Sequence, residues 1–397
     1  MKSSILQINI VANRGSTGKI AEDIGKLAIE NGYGSWIAYG RGNPISKSNL
    51  IRIGSDFDMR LHGIQTRLFD SHGLGSKAST REFIEKVKRI KPDIIHLHNI
   101  HGYYLNYKIL FDYLKKWGGP VVWTLHDCWP FTGHCSYYTF AKCDKWKSGC
   151  FNCPQLKEYP ASLWLDRSTK NFQDKKNAFL GLSNLTIVPV SNWLADQVAQ
   201  SFLKDYPINI IHNGIDLDVF RPKTIIEKDG NKKTVLGVAS VWDRRKGLDE
   251  FKELRKILPE NYVILLIGLT QDQISSLPDG ITGIRRTEHI EQLVDLYNMA
   301  DVFVNPTLED TFPTTNLEAL ACGTPVITYN TGGSPEAIDE KTGLVIPYSN
   351  NEDMAKKIRF VCENKPFSQR DCRKRAELLF DKNQAFQSYI NIYNSLK

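Results

Sequence analysis

The chain has 397 residues, 41% of them hydrophobic and 24% charged, the composition of a soluble globular protein with room for two cores. No stretch approaches the roughly 18 uninterrupted apolar residues of a membrane-spanning helix, which excludes that class. The net charge of +7 is mild for this length; it suits phosphate-bearing ligands or an anionic membrane face, although most of it is solvated surface.

Met1-Lys2-Ser3-Ser4 runs straight into a strand-like stretch, Ile5–Val11, without the apolar core and cleavage site of a signal peptide. The expected location is cytoplasmic, with peripheral contact at the inner face of the cell membrane. Further short apolar runs follow at Trp36–Tyr39, Asp93–Leu97, Val121–Leu125 and Thr186–Val190, each leading into a helical pattern. After residue 215 the rhythm restarts with Val235–Ala239, Tyr262–Gly268, Asp301–Asn305, Pro325–Thr328 and Leu344–Ile346. Continuous apolar strands alternating with helices predict parallel sheets covered on both faces. Two such series predict an α/β protein with two doubly wound, Rossmann-like domains facing each other across a cleft. The polar segment Lys223–Lys233 reads as a loop before the second series, and apolar spacing from Leu378 to Leu396 predicts a terminal helix. The expected division is therefore 1–215, 216–377 and a C-terminal helix at 378–397 that packs back toward the first domain.

Several motifs sit at the ends of these strands. Asn13-Arg14-Gly15-Ser16-Thr17-Gly18-Lys19 follows the first strand but fails the P-loop pattern, because Asn13 and Ile20 stand where Gly and Ser or Thr are required. It reads instead as a glycine turn in which Gly15 and Gly18 let a ligand approach the backbone. Thr124-Leu125-His126-Asp127 ends another strand. Cys135, Cys143, Cys150 and Cys153 lie in an irregular insertion at about 128–160, the last two in a Cys-x-x-Cys spacing suited to one tetrahedral ion. Structural zinc is the preferred reading, ahead of free thiols and, in a reducing compartment, disulfides.

In the second half, Asn305–Pro313 and the following Thr314-Thr315-Asn316-Leu317-Glu318 read as strand end, loop and helix, with Pro313 suited to the first helical position. Asp310 falls in the loop and Glu318 in the helix, two carboxylates able to accept hydrogen bonds from sugar hydroxyls. A glycine-rich turn, Thr331-Gly332-Gly333-Ser334-Pro335-Glu336, follows the next strand.

These segments, with Ala321-Cys322-Gly323-Thr324-Pro325-Val326, Lys341-Thr342-Gly343-Leu344 and His212-Asn213-Gly214-Ile215-Asp216, resemble the acid-x7-Glu signature and its surroundings in retaining glycosyltransferase family 4, which adopts the GT-B fold. The resemblance covers nearly the whole chain and extends to transferases of bacterial exopolysaccharide pathways. It implies that Glu318 holds the nucleotide ribose, and that Asp310 with the backbone N–H groups of Thr311 and Phe312 faces the donor sugar. Lys246, in Asp243-Arg244-Arg245-Lys246-Gly247, matches the lysine that neutralises the diphosphate, while His126 matches a histidine near the reacting carbon. Two departures stand out: Asp310 is one methylene shorter than the usual Glu, and Ser240 occupies the place of a frequent Arg, leaving Arg244 or Arg245 as its substitute.

The implied activity is transfer of a hexose from a UDP- or GDP-linked sugar to a glycan or lipid-linked acceptor, with no catalytic cofactor and no nucleic-acid partner. A sugar-nucleotide epimerase of the same fold, or an inactive sugar-nucleotide-binding partner, is the alternative. Tyr103, Tyr104, Trp129 and Phe131 are candidate stacking surfaces for sugar rings.

Overall fold

The structure, a computed structural model, describes residues 3–223, 231–348 and 350–396. Most of the expected loop Lys223–Lys233 therefore lies outside the described residues. The chain divides into two compact units, Met1–His212 with Phe386–Lys397, and Asn213–Ala385.

The first unit runs β1 (Ser4–Ile8), α1 (Gly15–Glu30), β2 (Gly34–Tyr39), β3 (Asn49–Arg52), α2 (Asp56–Phe69), α3 (Lys77–Ile90), β4 (Ile94–Leu97), α4 (Tyr107–Trp117), β5 (Val121–Leu125), α5 (Ser168–Phe179), β6 (Leu185–Pro189) and α6 (Asn192–Ala199). Its sheet is ordered β3-β2-β1-β4-β5-β6 and every pairing is parallel. The chain starts in the middle, winds outward to β3, then reverses to the other side, so β1 and β4 flank the point where the winding changes direction. Open α/β sheets bind ligands beyond the carboxyl ends of strands at that point. Ile5, Leu6 and Ile8, with Ile94, Ile95 and Leu97, are at most 1% exposed, as a sheet sandwiched between helices requires.

The second unit repeats the plan with β7 (Lys233–Val238), α7 (Leu248–Ile257), β8 (Tyr262–Ile267), α8 (Gln271–Ser275), β9 (Ile281–Ile284), α9 (Ile290–Met299), β10 (Val302–Asn305), α10 (Thr314–Ala321), β11 (Val326–Tyr329), β12 (Gly343–Ile346), α11 (Asn351–Asn364) and α12 (Gln369–Leu379). Its order, β12-β11-β10-β7-β8-β9, is again parallel throughout, with the reversal between β7 and β10.

Every strand expected from an apolar run is present. Two more, β3 and β9, complete the sheet edges. Their sequences, Asn-Leu-Ile-Arg and Ile-Thr-Gly-Ile, are each only partly buried, so neither makes the continuous apolar run of an interior strand.

The expected helix from Leu378 is instead two helices, α12 and α13 (Lys382–Ser395). The break has a backbone cause: the Ile215 amide donates to the Phe380 carbonyl at 2.7 Å and the Lys382 amide to the Ile215 carbonyl at 3.1 Å, a parallel bridge that takes groups a continuous helix would use. From Phe386 onward α13 belongs to the first unit. There the buried Tyr389 hydroxyl accepts from Thr124 at 3.1 Å, and the Tyr393 hydroxyl lies 2.6 Å from His96 Nδ1.

Candidate active site

In the second unit the segments leaving β7 and β10 meet at the reversal point. A single helical turn at Arg244–Lys246 is capped by Asp243, whose carboxylate accepts from the Lys246 amide at 3.1 Å. This turn aims Lys246 Nζ at Asp310 Oδ2, with which it forms an ion pair. Both side chains are largely buried. Burial raises the Asp310 pKa, but the charges of Lys246 and Arg245 and the hydrogen bonds from Lys246 and the Phe312 amide outweigh it, holding the carboxyl below its ordinary value. The pair is a charged site, not a neutralised acid.

The Asp310 loop is fixed from behind. Phe312 N–H donates to Asp310 Oδ1 at 3.2 Å, a turn closed two residues on by an aspartate side chain. The resemblance implies that this amide faces the sugar; here it holds the carboxylate in place. The Gly333 amide donates to the Asp310 carbonyl at 3.1 Å, and Gly332, at φ +54°, passes so close that a Cβ would stand 1.8 Å from the same oxygen. Asn316 bridges Asn305 (2.8 Å) and Ser334 (3.0 Å), and Asn213 donates to the Phe312 carbonyl at 3.2 Å. Thr311 and Phe312 are themselves buried.

Pro313, expected as the first helical residue, is extended (φ −69°, ψ 119°) and α10 starts at Thr314. Glu318 lies one turn into that helix, half-buried, and accepts 2.8 Å from the hydroxyl of the buried Tyr297 on α9. Arg245 donates to the Glu309 carbonyl at 3.2 Å and lies 3.6 Å from Asp243, so its guanidinium braces the loop that carries Asp310.

In the first unit, His126 follows β5 and His98 follows β4. His126 Nε2 lies 3.1 Å from His98 Nδ1, and His98 Nε2 lies 3.0 Å from Gln7 Oε1, a buried chain across the ends of three adjacent strands. Burial pulls the His126 pKa down to about 4, with the Asp127 charge opposing and His101 assisting, so the ring is neutral at pH 7. Asp127 is engaged on both oxygens, by His101 Nε2 at 2.8 Å and the Trp129 amide at 2.9 Å. Gly15, at φ +62°, has open space around it, whereas Gly18 is buried and a Cβ there would touch Val11 at 3.0 Å. Gly18 thus serves the packing of α1 against its loop, and of the two glycines Gly15 is the exposed one.

The aromatic expectation is corrected for three residues. Tyr104, Trp129 and Phe131 are at most 1% exposed; they are core, drawn in because the loops after β4 and β5 fold over the sheet. Of the four, only Tyr103 keeps a partly exposed ring.

Cys135, Cys143, Cys150 and Cys153 line one cavity of about 20 Å³. None forms a disulfide, and among the described residues no group of three or more His, Cys, Asp or Glu is placed, as the side chains stand, to hold a metal ion.

His98, Gln7 and Tyr297 carry no local motif. Only the strand order, which the sequence does not display, gathers the first two beside His126.

Comparison with known proteins identifies the family and the fold. Residues 37–219 match the family described as Glycosyltransferase Family 4, and residues 232–364 match Glycosyl transferases group 1. A colanic acid biosynthesis glycosyl transferase, WcaC of Escherichia coli (strain K12), is 24% identical over 99% of this chain and 100% of its own length. A sucrose-phosphate synthase from Thermosynechococcus elongatus superposes with a TM-score of 0.74 at 18% identity, covering 100% of this chain and 99% of that one. Anabaena HepE in complex with UDP-glucose does so with a TM-score of 0.65 at 14% identity, covering 99% of each chain. The chain is a family 4 glycosyltransferase of the GT-B fold.

Proposed function

We propose that this chain is a retaining hexosyltransferase, moving a sugar from a nucleoside-diphosphate donor to a lipid-linked oligosaccharide or polysaccharide acceptor in cell-surface glycan assembly. The observation that carries the reading is the Lys246–Asp310 pair at the strand reversal of the second unit. As the glycosidic bond breaks, the diphosphate gains negative charge, and a preorganised ammonium stabilises it without needing to reorganise. Lys246 supplies that charge, so the reading includes no catalytic metal. Asp310 holds Lys246 in position and accepts from sugar hydroxyls. Glu318, oriented by Tyr297, accepts from the ribose.

The C1–O bond to diphosphate breaks while the acceptor oxygen bonds to C1 on the same face, and the acceptor proton passes to a phosphate oxygen of the leaving group. Neutral His126 supplies a hydrogen-bonding group at the strand ends of the first unit. The names of two relatives support the substrate class: WcaC, and a Campylobacter jejuni N-acetylgalactosaminyltransferase acting on a diphospho-undecaprenol, 28% identical over 48% of this chain.

A lipid-linked acceptor also fits the surface of the first unit. On α2, Phe57, Leu61 and Ile64 are 67%, 49% and 55% exposed and fall at i, i+4 and i+7, one apolar face flanked by exposed Arg60 and Arg67. Leu163 N–H donates to the Arg67 carbonyl at 2.9 Å, placing Trp164, 70% exposed, beside it. A neighbouring cavity of about 360 Å³ is lined by Lys77, Arg81, Arg167 and Lys170. Apolar side chains ringed by cations suit the interface of an anionic leaflet. Among the described residues no helix is long and apolar enough to cross a membrane.

The product's anomeric configuration tests the mechanism. NMR of the transferred sugar is expected to show the donor's own anomer; the opposite anomer overturns retention.

A further inference from the structure

The cysteine insertion contains a donor that the spacing of its thiols does not reveal. His134 lines the same cavity of about 20 Å³ as the four cysteines, a space of the size of one small ion or water. Its Nδ1 lies 2.6 Å from Asp70 Oδ1; in the neutral ring this contact puts the proton on Nδ1 and leaves Nε2 with a lone pair. That Nε2 is buried and has no hydrogen-bond partner. A carboxylate on one imidazole nitrogen and a vacant lone pair on the other is the arrangement that metal-bound histidines adopt.

The cysteines complete the set unevenly. Cys135 and Cys153 line the cavity, and Cys150 Sγ accepts from the Gly133 amide at 3.1 Å. Close by, the fully buried Lys175 donates to the carbonyls of Trp129 (2.6 Å) and Thr132 (3.0 Å) and lies 3.6 Å over the Trp129 ring. It makes no ion pair among the described residues.

We infer that Cys135, Cys150, Cys153 and His134 bind one zinc ion in a tetrahedral structural site, with Asp70 as the positioning residue behind His134. Four N and S donors select zinc over the harder cations. Binding draws the thiolates inward from their present positions and releases their protons. Asp70 caps α2 and also accepts from the Arg167 amide at 2.8 Å, so the ion ties both ends of the insertion to the first unit's core.

The test is metal analysis of the full chain purified without chelator, followed by zinc release on titration with a mercurial thiol reagent. The expected result is about one zinc per chain, released as the thiols are blocked. Less than half an equivalent, in protein that also takes up no added zinc, overturns the proposal. Ligand identity is read from cobalt(II)-loaded protein, whose sulfur-to-metal charge-transfer band counts thiolates. Cys143→Ser is expected to leave that band and the zinc content unchanged, while His134→Ala weakens zinc retention against a competing chelator at least tenfold. The reverse pattern, loss with Cys143→Ser and none with His134→Ala, overturns the assignment of His134. Both variants keep the Cys135, Cys150 and Cys153 thiols, and circular dichroism of each establishes that it is folded before its zinc retention is read.

Discussion

Lys246 and Asp310, 64 residues apart in sequence, form an ion pair across the ends of β7 and β10. Neither residue belongs to a strand. Each is carried by the loop just beyond one, and the two loops meet because the sheet reverses its winding between those strands. The pair is 12–22% exposed, so it remains accessible to a ligand while its charges are only partly screened.

Removing the ammonium should damage chemistry more than folding. Lys246→Ala is expected to lower kcat by about 10²–10³-fold, the usual loss when one group stabilising transition-state charge is deleted. Steady-state kinetics with the preferred donor checks this; near-normal turnover would transfer the role to Arg244 or Arg245.

Glu318 and Tyr297 should separate by size of effect on donor affinity. Glu318→Ala removes a charge-assisted hydrogen bond, about 1.5–3 kcal/mol, or roughly 10- to 150-fold in Kd. Tyr297→Phe removes only the 2.8 Å bond that orients the carboxylate, and should weaken the donor a few-fold. Calorimetric titration with nucleotide distinguishes the two, and an unchanged Kd in Glu318→Ala contradicts the ribose assignment.

Gly332→Ala and Gly63→Ala should act in opposite directions. At Gly332 the positive φ and the Asp310 carbonyl 1.8 Å from a Cβ force the loop to move, so stability falls by more than about 1 kcal/mol and activity falls with it. Gly63 is within α2 with open space around it, and Ala there should stabilise by up to about 1 kcal/mol. Denaturant unfolding of both variants gives the comparison.

Stability should fall as pH drops from about 6.5 to about 4. Burial depresses the pKa values of His62 and His126 to about 4 and of His96 to about 3, so these rings stay neutral in the native chain. Unfolded histidines bind protons near 6.5, so through this window the unfolded state holds more protons and is favoured by acid. The contribution is complete above 6.5 and is lost as pH falls through the folded values. Urea midpoints at pH 7 and pH 5 test it; equal midpoints contradict the neutral burial of these rings.

Interior strands were legible because burial on both faces demands runs such as Val121–Leu125, all five residues of which are buried. The edges were not, since β3 and β9 keep exposed polar or glycine positions that break the run. Asp310, Glu318 and Lys246 stand out in the sequence as candidates because their motifs are local. Tyr297 was not, because a tyrosine on an amphipathic helix looks like core until its hydroxyl is seen on Glu318. His98 reads no differently from His96 in sequence, and only the order of β1, β4 and β5 shows which of them adjoins His126.

The most direct test of the donor site is a thermal-shift titration of the full chain with UDP, GDP, ADP and their sugar conjugates, in parallel with Lys246→Ala. A ligand at a hundredfold excess over its Kd stabilises the native state by about 2.7 kcal/mol. The account predicts a clear rise in Tm with one nucleotide diphosphate and its sugar conjugate, reduced in the Lys246→Ala variant. No shift with any nucleotide, or an equal shift in the variant, would contradict a donor site built on Lys246 and Asp310.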